Sequence, residues 1–216
     1  MGREVDFVAL MTRMFANLKL VWWQLLVYLA VVTVLAFVVP MVGDEPSGLV
    51  GLFVYFAGQY WLFRSLLKAR GLVETPRIHI FAFVGLAVVL FFPIMFGLAL
   101  FLLPGLFLIA RYIAAPSYIV ARGDSVFAAA ANSWRAVRGH TVIIAVAATL
   151  IFMFVTIFGI LTAGLVDLLA DLGGYRRGEP KEVIDLHLIP LLLFGLSTAV
   201  YDLLGPRDNS IEEVFG

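Results

Sequence analysis

The chain contains no cysteine, which excludes disulfides, thiolate metal sites and thiol nucleophiles. Charge is scarce too. Only 14% of the 216 residues are Asp, Glu, Lys or Arg, against about 25% in a soluble domain. Fifteen basic residues balance fifteen acidic ones, so nucleic acid is not an expected partner. The three histidines, His79, His140 and His187, are assigned to different places and cannot form one metal site. No His-Glu-x-x-His pair and no Gly-x-Ser-x-Gly elbow occurs, and no two carboxylates share an apolar run. The expectation is a protein without metal or cofactor that is not an enzyme.

Apolar residues are abundant. They make up 62% of the chain, and the mean hydropathy is +1.03. A core at this length cannot absorb that excess, so lipid must solvate much of the surface. The expected class is an all-α membrane protein, one polytopic domain over 1–216, with six transmembrane helices plus two interfacial amphipathic helices. Glu4 and Asp6 lie early and no A-x-A site follows, so a cleaved signal is not expected. Asp6 stands where a myristoylation signal needs Ser or Thr, so lipidation at Gly2 is not expected either.

Residues 4–19 have a helical period, with Phe7, Met11, Met14, Phe15 and Leu18 on one arc and Asp6, Arg13 and Asn17 on another. This pattern predicts an interfacial helix along the membrane; the plainer alternative is a solvated lead-in helix. A first span covers about 21–39, with Trp22 and Trp23 at its headgroup end. The connection at 43–48 reads as a turn, and a second span covers about 49–67. Thr75 is the expected N-cap of the next helix, with Pro76 at its first position. The apolar stretch from Ile78 to Val120 is roughly twice the ~20 residues one span needs. Its turn falls near Phe92-Pro93 or near Pro104-Gly105. The first is preferred, leaving Pro104 to kink a fourth span of about 95–121.

Asp124 can cap a second amphipathic helix over 125–138. Val126, Phe127, Ala130, Trp134 and Val137 share one arc, opposite Asp124, Asn132, Arg135 and Arg138. Spans five and six cover about 142–166 and 186–204, joined by a polar connection at 167–185. The triplet Arg122-Gly123-Asp124 matches an adhesion motif, but three residues are too few to carry that meaning.

With the N-terminus inside, eleven Lys and Arg fall on inner segments: Arg3, Arg13, Lys19, Arg64, Lys68, Arg70, Arg77, Arg122, Arg135, Arg138 and Arg207. Three fall outside: Arg176, Arg177 and Lys181. That bias predicts both termini in the cytoplasm. A faint parallel repeat, amphipathic helix then two spans, covers 4–70 and 124–204.

Pro104-Gly105, Arg111, Ser133-Trp134 and Arg138-Gly139 stand at characteristic spacings around an apolar stretch. Over about 100–142 the chain resembles the membrane domain attached to some glycerophosphoryl diester phosphodiesterases, and related stand-alone bacterial inner-membrane proteins. The resemblance implies an all-helical membrane domain of no assigned activity. It does not imply phosphodiesterase activity, which belongs to a soluble catalytic domain that this sequence lacks. The family's acidic residue near the 122–124 turn is shifted here, so Asp124 inherits no role.

Arg111 is the sharpest single feature. It precedes Arg122 by 11 residues, or about 16 Å of helix, close to mid-bilayer. A cation there costs roughly 2.5–3.5 kcal/mol on insertion scales, so it must face protein or water. No acid lies at that depth. Gln24, Gln59, Tyr60, Tyr112 and the carbonyl freed by Pro116 are the expected partners. One reading is a cation that receives a lipid phosphate or an anionic solute; the other is a structural staple between kinked helices. Arg122, Arg135 and Arg138, with Lys68 and Arg70, read either as an anionic-headgroup surface or as ordinary positive-inside topology. Pro104, Gly105 and Trp134 are expected to act structurally.

Two functions remain open. The first is a non-enzymatic membrane module that associates with phospholipid, with other membrane proteins or with its own copies. The second is a small transporter or channel for an anionic solute, acting as an oligomer. A lipid-acting membrane enzyme ranks last for want of a paired acid and base.

Overall fold

The computed structural model describes residues 6–42, 44–173 and 181–205, with side chains for 6–32, 34, 51–162, 164 and 189–205. Among these residues every regular element is a helix. In order they are α1 (Phe7–Leu20), α2 (Trp22–Val42), α3 (Asp44–Ala69), α4 (Ile80–Leu100), α5 (Leu102–Tyr112), α6 (Ala115–Arg122), α7 (Val126–Ala136), α8 (Thr141–Gly173) and α9 (Lys181–Leu204). Three stretches are long and apolar enough to cross a membrane: Ile80–Leu100, Leu102–Arg122 and Thr141–Thr162. A fourth is added if Phe7–Leu20 and Trp22–Val32, bent by 70°, form one broken span.

The bend falls at Val21. It turns α1 off the axis of α2 and lays it against α9. Leu10, Met14 and Leu18 are buried in that contact. The expected arcs hold only in part. Phe15 is exposed, whereas Asn17 is buried and accepts a hydrogen bond from Arg70 Nε. Arg13 pairs with Asp202 at 3.4 Å. A polar residue supplied with a partner can be buried, and lipid can receive the aromatic ring that protein does not cover.

The preferred turn at Phe92-Pro93 is overturned. Pro93 lies inside α4, and the chain reverses at Phe101, whose backbone is extended (φ −156°, ψ 142°). α4 and α5 then pack side by side. Two features favour this site. Pro104 is the third residue of α5, where its missing N–H would have no intrahelical partner anyway. Gly97 and Gly105 let the two backbones touch: a Cβ on Gly97 would lie 3.0 Å from the Gly105 nitrogen. The single kinked span of 95–121 is likewise replaced by α5 and α6. These part at Ile113-Ala114, and Pro116 stands in the first turn of α6.

Other boundaries move for local reasons. Thr75 does not cap a helix, because residues 72–79 are held as a non-helical strap. The N–H groups of Glu74 and Thr75 donate to the Ala121 carbonyl (2.8 and 3.1 Å). Arg64 donates to the carbonyls of Thr75, Pro76 and Arg77. α4 therefore starts only at Ile80. The cap of α7 is Ser125, whose hydroxyl accepts from Ala128 N; Asp124 instead accepts from Asn132 at 2.7 Å. The expected turn at 43–48 is helical from Asp44, and α8 continues through Asp167 to Gly173. Residues 174–180 of the expected polar connection and the tail from 206 lie outside the described residues.

Among the residues whose side chains are described, burial concentrates around α6. Phe63, Phe83 and Phe194 meet with centroids 4.9–6.2 Å apart. Residues 117–121 of α6 are all buried, and Ser117 meets Ser197 at 2.9 Å. Half of the Leu102–Arg122 stretch is buried, against 17% of Ile80–Leu100. α6 therefore runs through the interior, while α5 buries only Gly105 and Ala110 and α4 turns most of its apolar surface outward. The order amphipathic helix, long helix, long helix occurs at α1–α3 and at α7–α9. The leading helices differ in their partners, however, since α1 lies on α9 and α7 on α6 and α5.

Candidate functional site

The site forms where α5 ends. Arg111 and Phe107 are one turn apart on α5, and the guanidinium carbon lies 5.2 Å from the Phe107 ring centroid. Tyr112 follows, and α6 begins three residues later. Gly123, at φ +77°, and Asp124 then reverse the chain. α7 runs back along α6 until Trp134 arrives above Arg111, with its ring centroid 4.6 Å from the guanidinium carbon. Arg111 Nη1 donates to the Trp134 carbonyl at 3.2 Å. Trp134 also meets Phe107 and Tyr112 at 5.9 and 5.5 Å. Arginine stacked on aromatic faces is held by the ring quadrupole without an anion.

Ser133 closes the break beside it. Its hydroxyl donates to the Arg111 carbonyl at 2.8 Å and accepts from the buried Ala114 N–H at 3.2 Å. A discontinuous helix within a membrane leaves backbone groups that need such partners. One side chain on α7 therefore satisfies both sides of the α5–α6 junction.

The partners expected for Arg111 are not those observed. Gln59 sits with Tyr28 and Tyr55. The Tyr60 hydroxyl accepts from Arg64 Nη1 and from the His79 N–H, so it serves α3 and the strap. Trp134 takes the role instead. Among the described residues the ion pairs are Arg13–Asp202 and Arg122–Glu74, each at 3.4 Å, and Arg111 belongs to neither. Its Nε is buried without a hydrogen-bond partner.

The remaining candidates divide. Arg135 follows Trp134 and bonds the Asn132 side chain at 2.6 Å. Arg138 lies on the turn after α7 and is exposed. Arg122 stands at the other end of α6, about 16 Å of helix from Arg111, and is already paired with Glu74. Pro104 and Gly105 belong to the α4–α5 turn. Of these candidates the structure brings Arg111 and Trp134 together; Arg135 turns to Asn132 and, like Arg122, acts on Tyr118. Phe107 escaped the sequence reading, although its four-residue spacing from Arg111 was visible. The Arg64 clamp on the strap had no local signal. No His, Asp or Glu group suited to a metal ion occurs among the described residues.

No protein-family model, curated protein or solved structure matches the chain.

Proposed function

We propose that the chain is a non-enzymatic integral membrane module that binds the headgroup of anionic phospholipid at Arg111. The observation that carries this reading is the state of that guanidinium. It is half-buried, it stacks on two rings, one of its nitrogens has no partner, and no carboxylate among the described residues pairs with it. The Nε itself is buried, so the acceptor would meet the accessible part of this unneutralised guanidinium, for which a phosphate oxygen is the natural partner. Trp134, whose ring stacks on the guanidinium, holds it in place for that contact.

In this reading α2, α3, α4, α5–α6, α8 and α9 are six spans of a bacterial inner membrane, with both termini in the cytoplasm. α1 and α7 serve as the two amphipathic helices at the inner face. The Lys and Arg asymmetry supports the orientation. The spacing of Pro104-Gly105, Arg111, Ser133-Trp134 and Arg138-Gly139 supports membership of the phosphodiesterase-associated membrane-domain family. Three of those four elements meet at one junction or lead directly out of it. The transport alternative is less favoured by the same junction. Broken spans of transporters leave helix ends free for cargo, whereas Ser133 occupies these.

Native mass spectrometry of protein extracted with phosphatidylglycerol tests the reading. Arg111→Leu is expected to retain about tenfold less of that lipid than wild type. Equal retention by a folded Arg111→Leu protein would remove the site. Saturable solute uptake into liposomes would favour transport.

A further inference from the structure

A second face of α5 carries a different feature. A cavity of about 380 Å³ opens between α5 and α8, lined by Leu102, Leu106 and Ile109 on one wall and Thr149, Met153 and Ile157 on the other. Its size lies in the range of small-molecule clefts, about 300–1,000 Å³. On each wall the residues recur every three or four positions, so each helix presents one face and the groove follows the helix axes. Over Thr149–Ile157 it extends about 12 Å.

The chemistry of the walls restricts the occupant. The polar side chains lining it are threonines, and the Thr149 hydroxyl donates to its own helix at Ala145 O, 2.8 Å away. Ordered water needs two to four polar partners and would find few here. The groove also has a directional continuation. On α8 the face of Thr149, Met153 and Ile157 extends towards the helix start through Val146 and Val142, both exposed. The turn Arg138-Gly139-His140 leads directly into that first stretch, with Gly139 at φ +96°. Arg138 is exposed and belongs to neither ion pair among the described residues. From His140 to Thr149 is about 13 Å of helix.

We propose that this groove seats one acyl chain of an anionic phospholipid whose headgroup meets Arg138 at the start of α8. The chain descends along Val142 and Val146 and enters the groove at Thr149. This inference rests on the reading of the protein as an anionic-lipid module, but it concerns a different place. Ile109 and Arg111 are two residues apart on α5, so they point to opposite sides of that helix. The groove site and the Arg111 site can therefore succeed or fail separately.

The test uses full-length protein in phosphatidylcholine nanodiscs containing phosphatidylglycerol with a photoreactive diazirine on one acyl chain. Labelled peptides are then mapped by mass spectrometry. The expected result is labelling concentrated on 98–109 and 149–157, lost in Thr149→Trp and reduced in Arg138→Leu. Arg111→Leu should leave it unchanged. A phosphatidylcholine probe should label the same peptides less, and Arg138→Leu should not alter that level. Labelling of the outward α4 face at 91–96 equal to that of the groove would overturn the proposal. So would unchanged groove labelling in Arg138→Leu. If single cysteines at Met153 cross-link two copies in place of lipid labelling, a second copy fills the groove and the proposal also fails.

Discussion

Ser133 gives the clearest case of one side chain with two obligations. Its hydroxyl serves the Arg111 carbonyl and the Ala114 N–H where α5 and α6 part. Ser133→Ala removes both contacts and leaves a buried donor unsatisfied, at a cost of about 1–3 kcal/mol. Its thermal unfolding midpoint in detergent should fall below that of wild type. Ser65→Ala should not shift it, because the Ser65 hydroxyl only bonds back to Trp61 in its own helix. An equal midpoint for both variants would mean that Ser133 does not sustain the junction. Arg111 stands out in the sequence by its isolation within an apolar run. Its partner was not legible, because Trp134 is 23 residues away and reaches it only after Gly123 has reversed the chain.

At the scale of elements, the existence of helices was easier to read than their ends. Two prolines competed for one turn in the long apolar stretch. Pro93 remains in α4 at the loss of one backbone hydrogen bond, while Pro104 occupies the first turn of α5, where it costs none. What separates these options is the fit of Gly97 against Gly105, a contact across the hairpin. Gly97→Ala should therefore destabilise the protein by about 1–3 kcal/mol through overpacking. Gly51→Ala is the matched control: a Cβ there meets nothing within 4 Å, and the exchange favours the helix by about 1 kcal/mol. Thermal unfolding in detergent reads both; a Gly97→Ala protein as stable as wild type would exclude tight packing at this turn. The strap at 72–79 follows the same rule. Thr75-Pro76 has the local signature of a helix start, but the Ala121 carbonyl and Arg64 bind its backbone first.

For the whole molecule the governing quantity is the distribution of apolar surface. Among the described residues burial gathers around α6, and large side chains remain exposed along α4 and α8, with Phe81 at 90% and Val142 at 76%. Contiguous apolar surface of that extent requires a solvent other than water. The proposed orientation rests on the charge asymmetry and predicts reporter-fusion results. Fusions after Ser47 and Gly178 should report the outer side, and fusions after Gly71 and Gly139 the inner side. The reversed pattern would invert the assignment of both amphipathic helices and move Arg111 to the other leaflet.

The sequence by itself determined the helical class and the need for lipid, because both follow from composition and periodicity and no distant contact can revoke them. It also singled out Arg111, since a lone cation in an apolar run is costly wherever the chain folds. Only the tertiary structure decided what that cation touches, where the central hairpin turns and which side of α1 is covered. Each of those depends on backbones and side chains far apart in sequence competing for the same space and the same hydrogen bonds, and local pattern carries no record of that competition.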